Sequence, residues 1–307
     1  MFFIHKIFPK YIQKRGLILL QNKSKKLKFL DLFSGIGGFR LGMEMAGHEC
    51  MGWCEINEHA RKSYIAMHKP KEDEWFAEDI KKIRANEMPT ADVWCFGFPC
   101  QDISITGKQQ GLTGERSGLF YSVINLVKSQ KEENKPTYLF IENVKNLLSI
   151  NGGWDFAKVL FELDEAGYDA EWQVINSAGF VPQNRERIYI IGHLRGRSTR
   201  KVFPIYRTNK KTLKQLVSGQ QGMRIYDRNG ISCTLSAEGG GWGAKTGLYL
   251  FPDNRVRRLT PNECFRLQGF SDEYFKKIRS LHSDTQLYKQ IGNAVTVPVI
   301  YEIAKKL

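Results

Sequence analysis

From residue 27 onward, short apolar runs alternate with amphipathic stretches and turns. Phe29-Leu30-Asp31-Leu32-Phe33, Met51-Gly52-Trp53-Cys54-Glu55, Ala91–Phe98 and Tyr138-Leu139-Phe140-Ile141 are runs of a length that suits strands buried on both faces. After the first run, Ser34-Gly35-Ile36-Gly37-Gly38-Phe39 opens an amphipathic helical stretch. Alternation of this kind through residues 28–193 predicts an α/β domain: a doubly wound, mostly parallel sheet with helices on both faces. No internal repeat is evident.

Such sheets bind ligands at the carboxyl ends of their strands, and the residues there carry the chemistry. A glycine-rich strand-to-helix turn lets a ligand approach the backbone and the helix N-terminus. The dinucleotide fingerprint is broken, because Arg40 occupies the third glycine position after Gly35 and Gly37. Glu55 ends the second run and suits a bidentate grip on ribose hydroxyls, although a solvated strand-end carboxylate is the alternative. Asp79, in Glu78-Asp79-Ile80, suits an adenine amino group. The order points to a nucleoside cofactor, and no Walker lysine loop suggests a nucleoside triphosphate. In Gly97-Phe98-Pro99-Cys100-Gln101, Pro99 ends the ladder and places Cys100 on the loop after a strand. A lone cysteine there is commonly buried and inert, so the case for a nucleophile rests on what surrounds it.

Taken in order, Asp31–Phe39, Glu55, Asp79, Gly97–Gln101, Arg116–Phe120, Glu142-Asn143-Val144, Gln183–Tyr189, Arg258–Cys264 and Gln290–Val295 resemble the ordered motifs of the DNA (cytosine-5)-methyltransferases, over residues 27 to 301. The resemblance implies a Rossmann-like methyltransferase fold dependent on S-adenosylmethionine, with S-adenosylhomocysteine as product and no metal. It implies that Cys100 attacks C6 of cytosine, because C5 alone is a poor nucleophile. Glu142 then hydrogen-bonds or protonates N3, and Arg187, with Arg185 beside it, supplies fixed charge at O2. Taken singly, Glu142 also suits a cap for the element beginning near Asn143, and Arg187 a surface partner of Glu186. For the cofactor the resemblance implies Phe33 and Ile56 flanking the adenine, Glu55 on the ribose and Asp79 on the amino group. Ser34, Gly35, Gly37, Gly38, Ile80, Pro99, Leu119, Asn293 and Ala294 line the same pocket. Relatives carry aromatics at the Ile56 position, which puts cofactor affinity in question.

The target atom lies inside stacked duplex DNA, so the base must be flipped out. Gln101, Thr106, Lys108 and Arg116 fall in a glycine-rich stretch that suits a closing loop, with Thr106 the match to a residue entering the duplex. The segment Gln220–Tyr226, with Ile231–Gly241 and Ala244–Gly247, resembles the recognition region of the bacterial GCGC-specific enzyme of this family. By that match Gln221 fills the space left by the flipped base and Arg224 reads a guanine edge. Thr234, Glu238 and Gly240 complete the DNA-facing set. Glu238 replaces an aromatic residue and could accept from a cytosine amino group, which leaves a different flanking preference open.

Composition agrees. The 307 residues carry a net charge of +14, which suits a polyanionic partner without specifying it. Residues 194–231 hold ten Lys/Arg against one acid, Asp227, and phosphate contact is the expected use. The six cysteines show no zinc spacing, and Cys50 and Cys54 read as reduced core residues. Together with the lack of a membrane-spanning stretch, this points to a cytoplasmic protein of bacterial or phage type. Three domains are expected: a basic extension over 1–26, whose run Gly16–Leu20 is too short for a signal segment; a catalytic and cofactor domain over 27–193 plus 285–307; and a target-recognition domain and hinge over 194–284. Double-stranded DNA is the expected partner, a monomer the expected state, and any restriction endonuclease a separate protein. A tRNA-modifying relative would carry a Cys-Phe-Thr signature, which is absent here. A nicotinamide oxidoreductase conflicts with the broken fingerprint, and an inactive DNA-binding regulator with intact Cys100, Glu142 and Arg187.

Overall fold

The computed structural model describes residues 26–98, 118–208, 211–238 and 241–307. Seven strands make the main sheet: β1 (Lys28–Leu32), β2 (Glu49–Cys54), β3 (Trp75–Ala77), β4 (Val93–Phe96), β5 (Tyr138–Val144), β6 (Tyr168–Asn176) and β7 (Glu186–Leu194). Their spatial order is β3-β2-β1-β4-β5-β7-β6. Pairing is parallel from β3 through β5, as the apolar runs predict. Strand β7 runs antiparallel to both neighbours. Alternation of strands and helices does not reveal this reversal, because β6 and β7 are joined by a short turn rather than a crossover helix, which only antiparallel neighbours permit.

Among the described residues, eight α-helices accompany the sheets: α1 (Gly38–Met45), α2 (Glu58–His68), α3 (Leu119–Lys128), α4 (Trp154–Glu165), α5 (Pro261–Leu267), α6 (Asp272–Ile278), α7 (Asp284–Asn293) and α8 (Val297–Ala304). Their starts follow local chemistry. The Asn57 side chain caps α2 by accepting from the Ala60 amide, and Thr260 and Glu263 form a capping box on α5 with Pro261 in its first turn. Side chains along each strand alternate between two cores. Leu30, Leu32, Trp94, Phe96, Leu139 and Ile141 meet α3 and α4 on one face. Phe29, Val93, Cys95, Tyr138 and Phe140 meet α1 and α8 on the other. Gly42 allows the closest of these contacts, since a Cβ there would lie 2.6 Å from Ile300 Cβ. A third core joins α5, α6 and α7 to Ile36, Leu41 and Met67. No helix among the described residues is long and apolar enough to cross a membrane.

A second sheet holds four three-residue strands, β8 (Gln215–Val217), β9 (Ile225–Asp227), β10 (Leu248–Leu250) and β11 (Val256–Arg258), in the order β11-β10-β9-β8. Not all of 194–284 goes with it. Val202 and Phe203 are buried in the α1–α8 core, and α5 and α6 pack in the third core. The basic run divides the same way. Arg195 pairs with Asp164 and Asp169, Arg200 donates to the Leu307 carbonyl, and Arg207 pairs with Glu302. Arg197 donates to the carbonyls of Glu132 and Glu133. These four guanidinium groups brace the elements around the main sheet, which corrects the expectation that the whole run faces phosphate. Linear charge density does not reveal that the chain crosses back beneath the main sheet before entering the second one.

Candidate active site

The chain leaves β3 and returns to β4 on the other side of β1, so the strand order reverses between β1 and β4, the crevice where open α/β sheets hold ligands. On one side of it lies the glycine turn. Phe33, Gly35 and Gly37 have φ of 53°, 55° and 80°, a left-handed path that costs glycine little and Phe33 more. The turn is held from both neighbours: the Ser34 amide donates to the Cys54 carbonyl at 3.0 Å, and the Gly35 amide to Glu55 Oε2 at 2.8 Å. The other carboxylate oxygen of Glu55 accepts the Asn57 amide at 2.7 Å. Burial raises the pKa of Glu55, with the Asn57 and Gly35 amides and Arg61 opposing.

A support absent from the sequence reading lies beneath this turn. His68 Nε2 donates to the Ile36 carbonyl at 2.9 Å, and a Cβ on Gly37 would overlap its imidazole. Burial lowers the His68 pKa to about 4, opposed by the Ile36 carbonyl and assisted by Arg40 and Lys277, so the ring is neutral near pH 7. Nothing marks a lone histidine on a helix as such a support. Arg40, which breaks the fingerprint, is buried and bonds Glu74 through two nitrogens at 2.6 and 3.0 Å.

Other expected cofactor residues stand at the ends of strands and helices of this domain. Ile56 is 68% exposed at the end of β2, while Gly35 has no atom within 4 Å of where a Cβ would stand. Asp79 caps the turn at Ile80, its Oδ1 accepting from Lys81. Leu119 begins α3, and Asn293, exposed, and Ala294, buried, end α7. Gly38 brings that end against the glycine turn, since a Cβ on it would lie 2.7 Å from Val295 Cγ2. An open glycine turn, an exposed apolar side chain for the flat face of a base and a carboxylate fixed at a strand end for ribose hydroxyls fit a nucleoside.

On the other side of the crevice, β4 exits at Gly97-Phe98. Pro99, Cys100, Gln101, Thr106, Lys108 and Arg116 lie outside the described residues. Glu142 projects from β5, and its Oε1 meets Arg187 Nε at 3.1 Å, with both side chains at least 85% buried. The β5–β7 register sets Glu142 opposite Tyr189 and Val144 opposite Arg187, so the ion pair spans the diagonal that antiparallel strands bring within reach. The reversed β7 thus delivers Arg187. Burial raises the Glu142 pKa, while Arg187 and Arg185 oppose it. A Cβ on Gly97 would lie 3.1 Å from Glu142 Oε2, so glycine leaves that oxygen room. Asn143 Nδ2 donates to the Phe98 carbonyl at 3.1 Å, tying β5 to the segment that leads to Cys100.

Arg185 is used differently. It is 2% exposed, and its guanidinium donates to the carbonyls of Leu235, Gly292 and Ala294 at 3.0–3.1 Å. The five described cysteines, 50, 54, 95, 233 and 264, are unbridged, and burial pushes every one of their thiols up, that of Cys54 to about 12. None of these five is poised as a thiolate. No group of three or more His, Cys, Asp or Glu side chains that could hold a metal stands among the described residues.

In the second sheet's region, Gln221 is exposed in the turn Gln221–Met223. Arg224 Nε donates to the Gly219 carbonyl at 2.9 Å. The Gly243 amide donates to the Gly222 carbonyl at 3.1 Å, joining the two expected recognition turns. Thr234 spends its hydroxyl on the Asn184 carbonyl at 2.6 Å. Glu238 pairs with Lys289 at 3.2 Å on the surface. Gly240 lies outside the described residues.

Comparison with known proteins agrees with this geometry. The family model described as C-5 cytosine-specific DNA methylase matches residues 27–234 and 234–307. The Type II methyltransferase M.HhaI of Haemophilus parahaemolyticus is 34% identical over 93% of this chain and 96% of its own length. The DNA-cytosine methyltransferase of Escherichia coli K12 is 31% identical over 91% of this chain and 77% of its own. Among solved structures, the Entamoeba histolytica methyltransferase EhMeth superposes with a TM-score of 0.72 at 20% identity, covering 91% of this chain and 97% of that one. The S. pombe Dnmt2 methyltransferase follows at 0.69 and 19%, covering 91% and 98%; these two likenesses concern the fold. A family model spanning both the crevice and the second sheet, with relatives above 30% identity over nine-tenths of the sequence, leaves one conclusion: the chain belongs to the C-5 cytosine-specific DNA methylases and is a DNA (cytosine-5)-methyltransferase.

Proposed function

We propose that the enzyme methylates C5 of a cytosine flipped out of duplex DNA, within the sequence GCGC, and protects DNA against a separate restriction endonuclease in a bacterial or phage setting. The observation that carries the catalytic part is the buried Glu142–Arg187 pair beside the exit of β4, two residues short of Cys100. Cys100 is the nucleophile: its thiolate adds to C6 and makes C5 enamine-like. Glu142, its pKa raised by burial, bonds or protonates N3 as negative charge builds up in the ring. Arg187 presents fixed charge to O2 in a site that excludes water. Loss of the C5 proton and elimination of the Cys100 sulfur then restore the aromatic base.

S-adenosylmethionine, when bound, supplies the electrophilic methyl group. Phe33 and Ile56 would flank its adenine, Glu55 would take the ribose hydroxyls and Asp79 the amino group. Ser34, Gly35, Gly37, Gly38, Ile80, Pro99, Leu119, Asn293 and Ala294 would complete the pocket. Gln101, Thr106, Lys108 and Arg116 contact DNA from the catalytic loop. On the recognition side, Gln221 fills the vacated stack and Arg224 reads guanine. Thr234, Glu238 and Gly240 complete the DNA-facing set. The exposure of Gln221, and the bond joining the turn after it to Gly243, support a reading surface built from both turns. The enzyme acts as a monomer in the cytoplasm.

Bisulfite sequencing of plasmid from cells expressing wild type or Cys100→Ala tests this reading. Protected cytosines confined to GCGC, and absent with the variant, are expected. Protection at another site would overturn the target alone. No protection with soluble wild-type protein would overturn the DNA substrate, and protection persisting in the variant would overturn the nucleophile.

A further inference from the structure

We propose that Arg185 is a positioning residue that couples target-DNA binding to cofactor binding, by holding the recognition segment against the cofactor wall. The inference rests on the functional reading above for the identity of the two ligands. Arg185 stands two residues before Arg187 and enters the interior, where burying a guanidinium costs several kcal/mol unless its donors are satisfied. Its Nη1 donates to the Leu235 carbonyl at 3.1 Å, in the stretch that follows Thr234. Its Nη2 donates to Gly292 at 3.1 Å and Ala294 at 3.0 Å, on either side of Asn293. One planar group therefore clasps the chain expected to read DNA to the helix end expected to line the cofactor pocket.

The surrounding contacts make this clasp a layer rather than a single tie. Leu235 donates its amide to Gln183 Oε1 at 3.1 Å, and the Asn184 amide donates to the Ser232 carbonyl at 2.8 Å. The backbone of Ser236–Ala237 lies so close to Gly292 that any Cβ there would collide with it. On the catalytic side, the Arg185 carbonyl accepts the Ser177 amide at 2.8 Å, which fixes the start of the strand carrying Arg187. A ligand that orders residues 232–237 also orders residues 292–294, so the second ligand meets a layer already set. That is positive coupling, and by linkage it is reciprocal. A lysine at 185 retains the charge but cannot span three carbonyls with a rigid fork.

The test is isothermal titration of the full chain with S-adenosylhomocysteine, alone and with a saturating short duplex carrying the site mapped by bisulfite sequencing. The same duplex scrambled at that site is the control. In the wild type the cognate duplex is expected to tighten S-adenosylhomocysteine binding by about tenfold or more, and the scrambled duplex to have little effect. In Arg185→Lys the free-enzyme affinity is expected to stay within about threefold while the tightening disappears. Gly292→Ala wedges the same layer apart without touching the guanidinium and is expected to show the same loss, which decides the matter if the lysine variant does not fold. A wild type that binds both ligands with no tightening would overturn the coupling and leave the functional reading standing. Full tightening in either folded variant would overturn the role of Arg185. A wild type that binds neither ligand would instead overturn the functional reading itself.

Discussion

Replacing Arg187 with leucine removes one half of the buried pair and leaves Glu142 in place, which turns a catalytic hypothesis into a measurement on the fold. At 3.1 Å, the attraction is about 5 kcal/mol for an effective dielectric of about 20, most of it offset by the desolvation of both groups. Without Arg187, Glu142 either stays charged and unpaired, at about 3–5 kcal/mol, or carries a proton in the folded state. Against an ordinary glutamic acid near pH 4.3, keeping that proton costs about 4 kcal/mol at pH 7 and about 2 kcal/mol at pH 5.5. The sign follows: the folded pKa, already raised by burial, rises further, so the contribution is intact below the unfolded pKa and is lost as pH climbs through the folded one. Arg185, which also lowers the Glu142 pKa, keeps the loss below these upper figures. Urea unfolding of wild type, Arg187→Leu and the double variant Arg187→Leu/Glu142→Gln at the two pH values measures it. The gap between wild type and the single variant should narrow by roughly 2 kcal/mol on going to pH 5.5, and that narrowing should vanish in the double variant. A gap indifferent to pH, or a double variant that keeps the dependence, would show that Glu142 is not held by Arg187.

Three other outcomes are expected. Glu55→Gln keeps the side-chain size but loses the charged acceptor of the Gly35 and Asn57 amides; S-adenosylhomocysteine affinity by titration should fall about ten- to a hundredfold, and unchanged affinity would remove Glu55 from the pocket. Gly97→Ala presses a methyl to 3.1 Å from Glu142 Oε2; kcat for tritiated methyl incorporation should drop about tenfold or more with a stability cost of about 1–3 kcal/mol, and normal turnover in a folded variant would count against the placement of Glu142. His68, whose pKa falls from 6.5 to about 4, contributes stability that is present above pH 6.5 and lost as pH falls toward 4, about 3 kcal/mol in all. Acid unfolding curves of wild type and His68→Gln should differ by that amount across this window, and parallel curves would exclude the role.

Buried strands were legible because they follow from nearest-neighbour chemistry. Val93–Phe96 cannot face water on either side, and a proline such as Pro99 lacks the donor to continue a ladder. The strand-end residues Glu55 and Asp79 were legible for the same reason, since a polar residue closing an apolar run tends to sit where the sheet stops; Glu142 instead lies inside β5, paired opposite Tyr189, because β7 extends the ladder past the apolar run. The direction of β7, the burial of Arg185 and the support of Gly37 by His68 were not. Each depends on which distant segment arrives beside it: Leu235 lies 50 residues from Arg185 and Ile36 lies 32 from His68.

By itself the sequence determined the α/β class and the ordered motifs that place the chain among the cytosine-5 methylases. Tertiary structure alone decided that Arg187 meets Glu142 while Arg185, of identical chemistry two residues earlier, turns inward to three carbonyls. It also decided that Arg195, Arg197, Arg200 and Arg207 brace the elements around the main sheet. The physical reason is common to both. A guanidinium states its charge and its donors in the sequence, but its partner is whichever acceptor the fold brings within about 3 Å, and that is a property of the packed chain.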